Sequence, residues 1–413
     1  MAQRKKHLLV FRRCFLLFYK ISVGGRAPGA SAMEADMNTI HIIALHLAFG
    51  GVERAIINMA NLFAERYDVE IISVYNMPNS PAYPIDERVR VRYLLDDIPN
   101  RAEWRAAAKG LHPVSFIKES ARSVRILAGK RREVRRAIES IDNGVIITTR
   151  HEDNLALSKY GRPGVLKIAQ LHHDHNFESR YVDAFKHDYG NIDYFTLLTP
   201  GLVREVGEMM RGTRTKTVYI PNFLDRYPDE PHFGAREKTV LAAGRLNYVK
   251  RFDKLIRIFA SVHEKMPDWK LKIVGEGEER PALERLIREL GAQDYVSLCG
   301  AMNGAEVERE MCSAGVYAMT SSSEGFSFVV LEAQSCYLPP VAFDVRVGPP
   351  FLITDGVDGF IVPEGDDAAF ARRLEELMRD DELRRTMGKA ARARSLDFSR
   401  EKIAQLWYEI LGD

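Results

Sequence analysis

Two glutamates, Glu324 and Glu332, stand on either side of the seven-residue run Gly325-Phe-Ser-Phe-Val-Val-Leu331. Val316-Tyr-Ala-Met319 reads as a short buried strand, Thr320 to Ser323 as a polar turn, and Ser327 to about Cys336 as a helix. A helix start carries unpaired backbone N–H groups and a partial positive charge, which suits phosphate. Gly325 lets a ligand come close to the backbone, and Ser327 is too small to block it. Two carboxylates around an anion seat make little sense for phosphate alone. They make sense if the ligand also carries hydroxyls, as a nucleotide sugar does. A bare E-x7-E ordinarily describes a solvated Glu at a helix start and another on an exposed face. The order of strand, Ser-rich turn, Glu-Gly-Phe and apolar helix favours the site.

Fixed positive charge comes from Gly244-Arg245-Leu-Asn-Tyr-Val-Lys250-Arg251. Arg245 and Lys250 leave the end of the strand Thr239–Ala243 and the adjoining turn, within reach of one crevice. A departing diphosphate needs such charge, and no DxD-like motif stands out to hold a divalent ion. Three histidines fall in Leu171-His172-His173-Asp174-His175. That spacing off a strand end does not converge on a metal, so no metal site is expected. A strand's carboxyl end in an open parallel sheet does face the ligand crevice.

The elements that must position these groups follow a doubly wound α/β pattern. Ile40–Leu47 is a continuous apolar strand, Phe49-Gly50-Gly51 a turn, Ala55–Arg66 a helix and Val69–Tyr75 a second strand. Gly50-Gly51 lacks the later glycine of G-x-G-x-x-G, which argues against a dehydrogenase. Gly144–Thr149, Val165–Leu171 and Tyr194–Leu198 read as further strands, and Ile220-Pro-Asn222 leads into a polar, Pro-rich linker. A second strand–helix series opens at Thr239 and includes Trp269–Val274, Tyr295–Leu298 and Pro340–Phe343. Asp355-Gly-Val-Asp-Gly359-Phe-Ile-Val-Pro363 reads as a hairpin-like segment, and Phe398-Ser399 to Leu411 as a closing amphipathic helix.

Glu324-Gly-Phe-Ser-Phe-Val-Val-Leu-Glu332-Ala resembles the E-x7-E signature of retaining glycosyltransferases of family 4, and the resemblance runs from about Met37 to Asp413. It implies the GT-B fold, two Rossmann-like α/β domains facing across a cleft. The expected divisions are an extension at 1–36, an acceptor-side domain at 37–222, a linker at 223–238, a nucleotide-sugar-binding domain at 239–395, and a helix at 396–413 that crosses back. The implied activity is transfer of a hexose-type sugar, with retention, from a UDP- or GDP-sugar to a saccharide or lipid-linked saccharide, in surface polysaccharide or glycoconjugate assembly. Arg245, Lys250 and the helix start from Gly325 through Phe326 and Ser327 to Phe328 would hold the diphosphate, and Glu332 the ribose. Glu324 would bind the donor sugar and steady charge at its anomeric carbon. His172 would orient that sugar, with His175 a weaker second choice. Gly50 and Gly51 would lie near the diphosphate, and Ala301 and Met302 along the base. No cofactor or metal is expected. Arg251 stands where the family has glycine after the lysine, Tyr337-Leu338 where a glycine is usual, and Phe351 where glutamate often follows Gly-Pro. A UDP-sugar 2-epimerase of the same architecture, or a non-catalytic sugar- or membrane-binding relative, are the alternatives.

The 413 residues suffice for two cores, and 46% apolar with 28% charged residues is ordinary for a soluble protein. A net charge of +2 argues against a dedicated nucleic-acid binder. Cys14, Cys299, Cys312 and Cys336 have no metal-ligand spacing and suggest no disulfide framework, which fits a cytoplasmic protein. Residues 1–36 are basic and apolar, with Arg12-Arg13 splitting the apolar run. They read either as a membrane-surface segment or, preferred here, as an upstream extension of a protein starting at Met33 or Met37. Residues 101–136 hold eleven Lys or Arg against three Glu, with Phe116, Ile117, Ala121, Val124 and Leu127 at helical spacing. That stretch fits either a solvated helix face or a peripheral contact with an anionic membrane at its cytoplasmic side.

Overall fold

The computed structural model describes residues 38–78, 80–110, 113–229 and 236–412. The expected extension at 1–36 and the middle of the expected linker therefore lie outside the described residues. Among the described residues, thirteen parallel strands form two sheets. The first contains β1 (Thr39–Ala44), β2 (Asp68–Tyr75), β3 (Arg90–Leu95), β4 (Val145–Thr148), β5 (Leu166–Leu171), β6 (Tyr194–Leu197) and β7 (Lys216–Tyr219), in the order β3-β2-β1-β4-β5-β6-β7. The second contains β8 (Thr239–Ala243), β9 (Lys270–Val274), β10 (Val296–Gly300), β11 (Val316–Met319), β12 (Pro340–Asp344) and β13 (Phe360–Pro363), in the order β10-β9-β8-β11-β12-β13.

The sequence dictates this through strands that are apolar on both faces. Ile40, Ile42, Ile43 and Ala44 of β1 are fully buried, as are Val240, Leu241 and Ala242 of β8. Only helices on both sides of a parallel sheet can cover such strands. In each sheet the strand order reverses at one place, between β1 and β4 and between β8 and β11. Crevices form at such switch points, beyond the carboxyl ends of the strands. Gly50-Gly51 follows β1, Arg245 follows β8 and Glu324 follows β11, so the candidate residues lie at these two places.

β3 was not foreseen; its Arg90-Val-Arg-Tyr alternation is that of an edge strand with one face toward water. The segment Asp355–Pro363 is not a hairpin. A turn closed by Gly356 N–H on the Gly359 carbonyl (2.8 Å) leads into β13, which pairs parallel to β12.

The helix Arg400–Leu411 packs in the core of the first domain. Ile403, Ala404, Trp407, Tyr408 and Leu411 join Ile40, Ile56 and Phe63 in one apolar cluster, with the Trp407 and Phe63 rings edge-to-face at 5.3 Å. Arg400 ties the helix start to Glu65 and Asp225 at 2.8 and 3.0 Å. The second domain is thus tethered to the first at both ends of its chain.

Candidate active site

On the second-domain side, β8 ends at Gly244 and the chain turns sharply. The Asn247 side-chain oxygen accepts from the Lys250 N–H at 3.3 Å and closes a short turn over Tyr248–Lys250. This folds the Lys250 stem back over Gly244. The Thr320 hydroxyl donates to the carbonyls of Lys250 and Arg251 (3.1 and 3.0 Å), and Ser322 N–H donates to the Val249 carbonyl (2.8 Å). The Ser-rich turn is therefore stitched to the lysine turn. The result is a Lys250 ammonium 2.6 Å from Glu324 Oε1, both half-buried.

Arg245 is exposed beside this pair and makes no ion pair among the described residues. Its charge reaches the other domain. Burial depresses the His46 pKa, Glu53 opposes that shift, and Arg150 and Arg245 add to it. The helix Phe328–Ser335 begins after Ser327, which sits at φ 73° with its hydroxyl buried and without a hydrogen-bond partner among the described residues.

On the first-domain side, β5 delivers His172. Its Nε2 lies 3.1 Å from Gln170 Oε1. That oxygen can only accept, so Nε2 carries the proton and Nδ1 is an acceptor. Nδ1 is buried and has no hydrogen-bond partner among the described residues. Burial, with His173 and Arg150 adding, lowers the His172 pKa to about 3, so the imidazole is neutral. The three neighbouring histidines diverge. His173 meets the Tyr181 hydroxyl at 2.7 Å, while His175 is fully buried, 2.5 Å from Glu205 and edge-on to Phe177 and Phe185. His175 is a core residue and does not reach the crevice.

The two sides touch. A Cβ at Gly325 would collide with the His172 carbonyl, so only glycine permits this approach of the Glu324 turn to the β5 end. A Cβ at Gly51 would lie 3.6 Å from the Phe328 ring. Arg54 pairs with Glu332 across the crevice, and its guanidinium sits 5.3 Å over Phe328. Arg346, after β12, pairs with Asp174 (2.7 Å) and Glu205 (2.9 Å) of the first domain. The structure thus brings together Glu324, Lys250, Gly325, Ser327, Phe328, Glu332, Gly51 and His172, with Gly50 preceding Gly51 as the helix cap.

Other expected contacts stand apart. The Phe326 side chain is buried against Phe328 and Phe398 (5.9 and 5.6 Å), which leaves only its backbone for a ligand. Ala301 is exposed beyond β10, two strands from β8, and Met302 packs partly on the second-domain core. Their loop adjoins the site through the Gly275–Gly300 pairing, since Gly275 lies tight against Gly244. Sequence reasoning missed Gln170, Arg150 and Arg346 as site residues, and named Arg54 only as part of the turn after β1, without its partner Glu332. Arg150 follows β4 at the switch point and holds buried Glu53 at 2.8 Å; that position alone could have flagged it.

Residues 225–394 match the family model of glycosyl transferases group 1. The comparisons support a glycosyltransferase. The chain is 29% identical over 88% of its length to an exopolysaccharide phosphotransferase of Streptomyces coelicolor, of which it spans 39%. It is 28% identical, again over 88% of its length, to the amylovoran biosynthesis glycosyltransferase AmsD of Erwinia amylovora, of which it spans 96%. The crystal structure of the pneumococcal O-GlcNAc transferase GtfA with UDP and GlcNAc superposes with a TM-score of 0.72, at 16% identity, over 91% of this chain and 99% of that one. The fold is that of the GT-B glycosyltransferases, two Rossmann-like domains.

Proposed function

We propose that the protein is a retaining glycosyltransferase of the family 4 type, moving a hexose from a UDP- or GDP-sugar to a saccharide or lipid-linked saccharide in polysaccharide assembly. One observation carries this reading: the Lys250–Glu324 pair and the Gly325 turn lie directly against the β5 end that bears His172. An anion seat, a carboxylate and a neutral hydrogen-bond acceptor thereby share one crevice. The diphosphate would take Arg245, Lys250 and the N–H groups from Gly325 to Phe328. Glu332 would exchange Arg54 for the ribose hydroxyls. His172 Nδ1 would accept from a sugar hydroxyl, and Glu324 would face the anomeric carbon. The loop at Ala301 and Met302 would flank the base. Fixed cations, not a divalent ion, would stabilise the leaving group. Support for the context comes from AmsD, named for amylovoran biosynthesis.

The test is a thermal-shift panel of nucleotide sugars on wild type, Arg245→Ala and Glu332→Ala, with EDTA present. A donor at about 100 times its Kd stabilises by about 2.7 kcal/mol, and both variants should lose that response. Product anomeric configuration, read by NMR with the same donor, should match that of the donor. Inversion, or no response to any nucleotide sugar with or without a saccharide acceptor, would sink the reading.

A further inference from the structure

Residues Arg101–Lys109 and Pro113–Ser140 form two helices between β3 and β4. They lean on each other through Trp104, whose indole N–H donates to the Ser120 hydroxyl at 3.0 Å and whose ring lies 5.5 Å from Phe116. The longer helix buries only Ile126, Val134, Ala137 and Ile138. From Pro113 to Arg125 no side chain is buried. The sequence periodicity groups Phe116, Ile117, Ala121, Val124 and Leu127; Phe116 turns onto Trp104, and the other four face outward. Val114, Ile117, Val124 and Leu127 are 79, 67, 67 and 57% exposed. Single exposed apolar residues need no explanation, whereas a continuous stripe marks a contact surface.

Charge identifies what it contacts. Residues 101–136 carry eleven Lys or Arg and three Glu. Arg101, Arg105, Lys109, Lys118, Arg125 and Arg131 are exposed and make no ion pair among the described residues. A second copy of this chain would bring like charges together. A nucleic acid would leave the apolar stripe without a role. An anionic lipid surface satisfies both features, taking the apolar side chains at the boundary of headgroups and acyl chains and the cations at its phosphates.

Topology fixes where this surface lies. The longer helix feeds β4, so it runs antiparallel to the strands. Lys130 is 3.9 Å from Asp153, just past the carboxyl end of β4. Residues upstream of Lys130 continue past that level, with Ile126 still packed on the first-domain core and the residues before it uncovered. The hairpin therefore projects from the crevice end of the first domain.

We propose that this helical hairpin seats the protein on an anionic bilayer with its crevice turned toward the lipid. That a lipid-linked acceptor would then meet the crevice rests on the proposed function; the attachment itself does not.

The test is co-sedimentation of the full chain with vesicles of phosphatidylcholine alone or with about a third phosphatidylglycerol. Ile117→Glu/Val124→Glu and Lys118→Glu/Arg125→Glu are compared with wild type, because residues 1–36 are themselves basic and apolar. Glutamate is a good helix former and all four positions are exposed, so folding should be unaffected. Wild type should pellet with the anionic vesicles only, less so as salt rises, and each double variant should bind at least roughly tenfold more weakly. The nucleotide-sugar thermal shift of the variants should stay unchanged, which separates failure of attachment from failure of the proposed function. Equal binding of wild type to both vesicles, or wild-type binding by the variants, overturns the proposal. So does a solution dimer that Ile117→Glu dissolves.

Discussion

The Lys250 ammonium lies 2.6 Å from the Glu324 carboxylate, on turns that hydrogen bonds from Thr320 and Ser322 hold side by side. In the free protein each neutralises the other. A bound diphosphate would draw on Lys250 and leave Glu324 facing the sugar. Glu324→Gln should therefore lower kcat by roughly 100- to 1000-fold, the usual scale for one preorganised electrostatic group. KM for the donor should stay level or fall, since Lys250 is released to the phosphates. Steady-state kinetics with the identified donor checks this. A rise in KM with kcat intact would make Glu324 a binding residue only.

Arg346 clasps the two domains, gripping Asp174 and Glu205 together while its guanidinium lies 4.7 Å over Phe177. Removing it leaves two first-domain carboxylates facing a gap but disturbs neither core. Arg346→Ala is expected to increase the radius of gyration by small-angle scattering and to lower kcat/KM about tenfold, because closure assembles the site. The melting temperature should move little. Unchanged scattering together with unchanged kinetics would show that the clasp does not hold the crevice shut.

Burial holds His172 neutral, with its pKa lowered to about 3 from an ordinary value near 6.5. The sign follows from proton counting. Between these values the unfolded chain binds a proton that the folded one does not, so stability rises with pH across that window. It is lost as pH falls from about 6.5 toward 3. His172→Gln should flatten the stability–pH slope in this range by up to one proton, measured by urea unfolding at several pH values. A slope identical to wild type would mean that the imidazole protonates freely in the folded protein.

The sequence was most readable where one short stretch carries its own structural logic. Val316–Met319, the Ser-rich turn and the Gly-Phe start of the next helix form a strand, a turn and a helix by local patterning alone. Arg245 and Lys250 were readable for the same reason, as residues leaving the end of an apolar strand. The pairings of Arg54 with Glu332 and of Arg346 with Asp174 were not, because each joins residues from different domains. Phe326 seemed a ligand neighbour because it follows Gly325, yet Phe398 draws its ring into the core. β3 was overlooked because an edge strand alternates and has no continuous apolar run. In the basic helices, periodicity told which residues share a face, and could not tell whether anything covers it.

Two departures from the pattern of the family that the sequence resembles share one backbone state. Arg251, in place of a glycine, has φ 50° and ψ 40°, and Tyr337, at the other glycine position, has φ 58°. A side chain in this left-handed region costs about 1–2 kcal/mol, whereas glycine's extra chain entropy costs about 0.5–1 kcal/mol. At Arg251 little offsets the difference, since its guanidinium is only 3.5 Å from exposed Asp253, a surface pair of small worth. Arg251→Gly should therefore stabilise the second domain by roughly 0.5–1 kcal/mol, a rise of about 1–3 °C in Tm. At Tyr337 the ring lies 5.3 Å under the Arg392 guanidinium and supports packing that glycine would lose. Tyr337→Gly should therefore bring no gain. Calorimetry of the two variants separates the cases. A fall in Tm for Arg251→Gly would show that the arginine contributes more by its contacts than it costs in backbone strain.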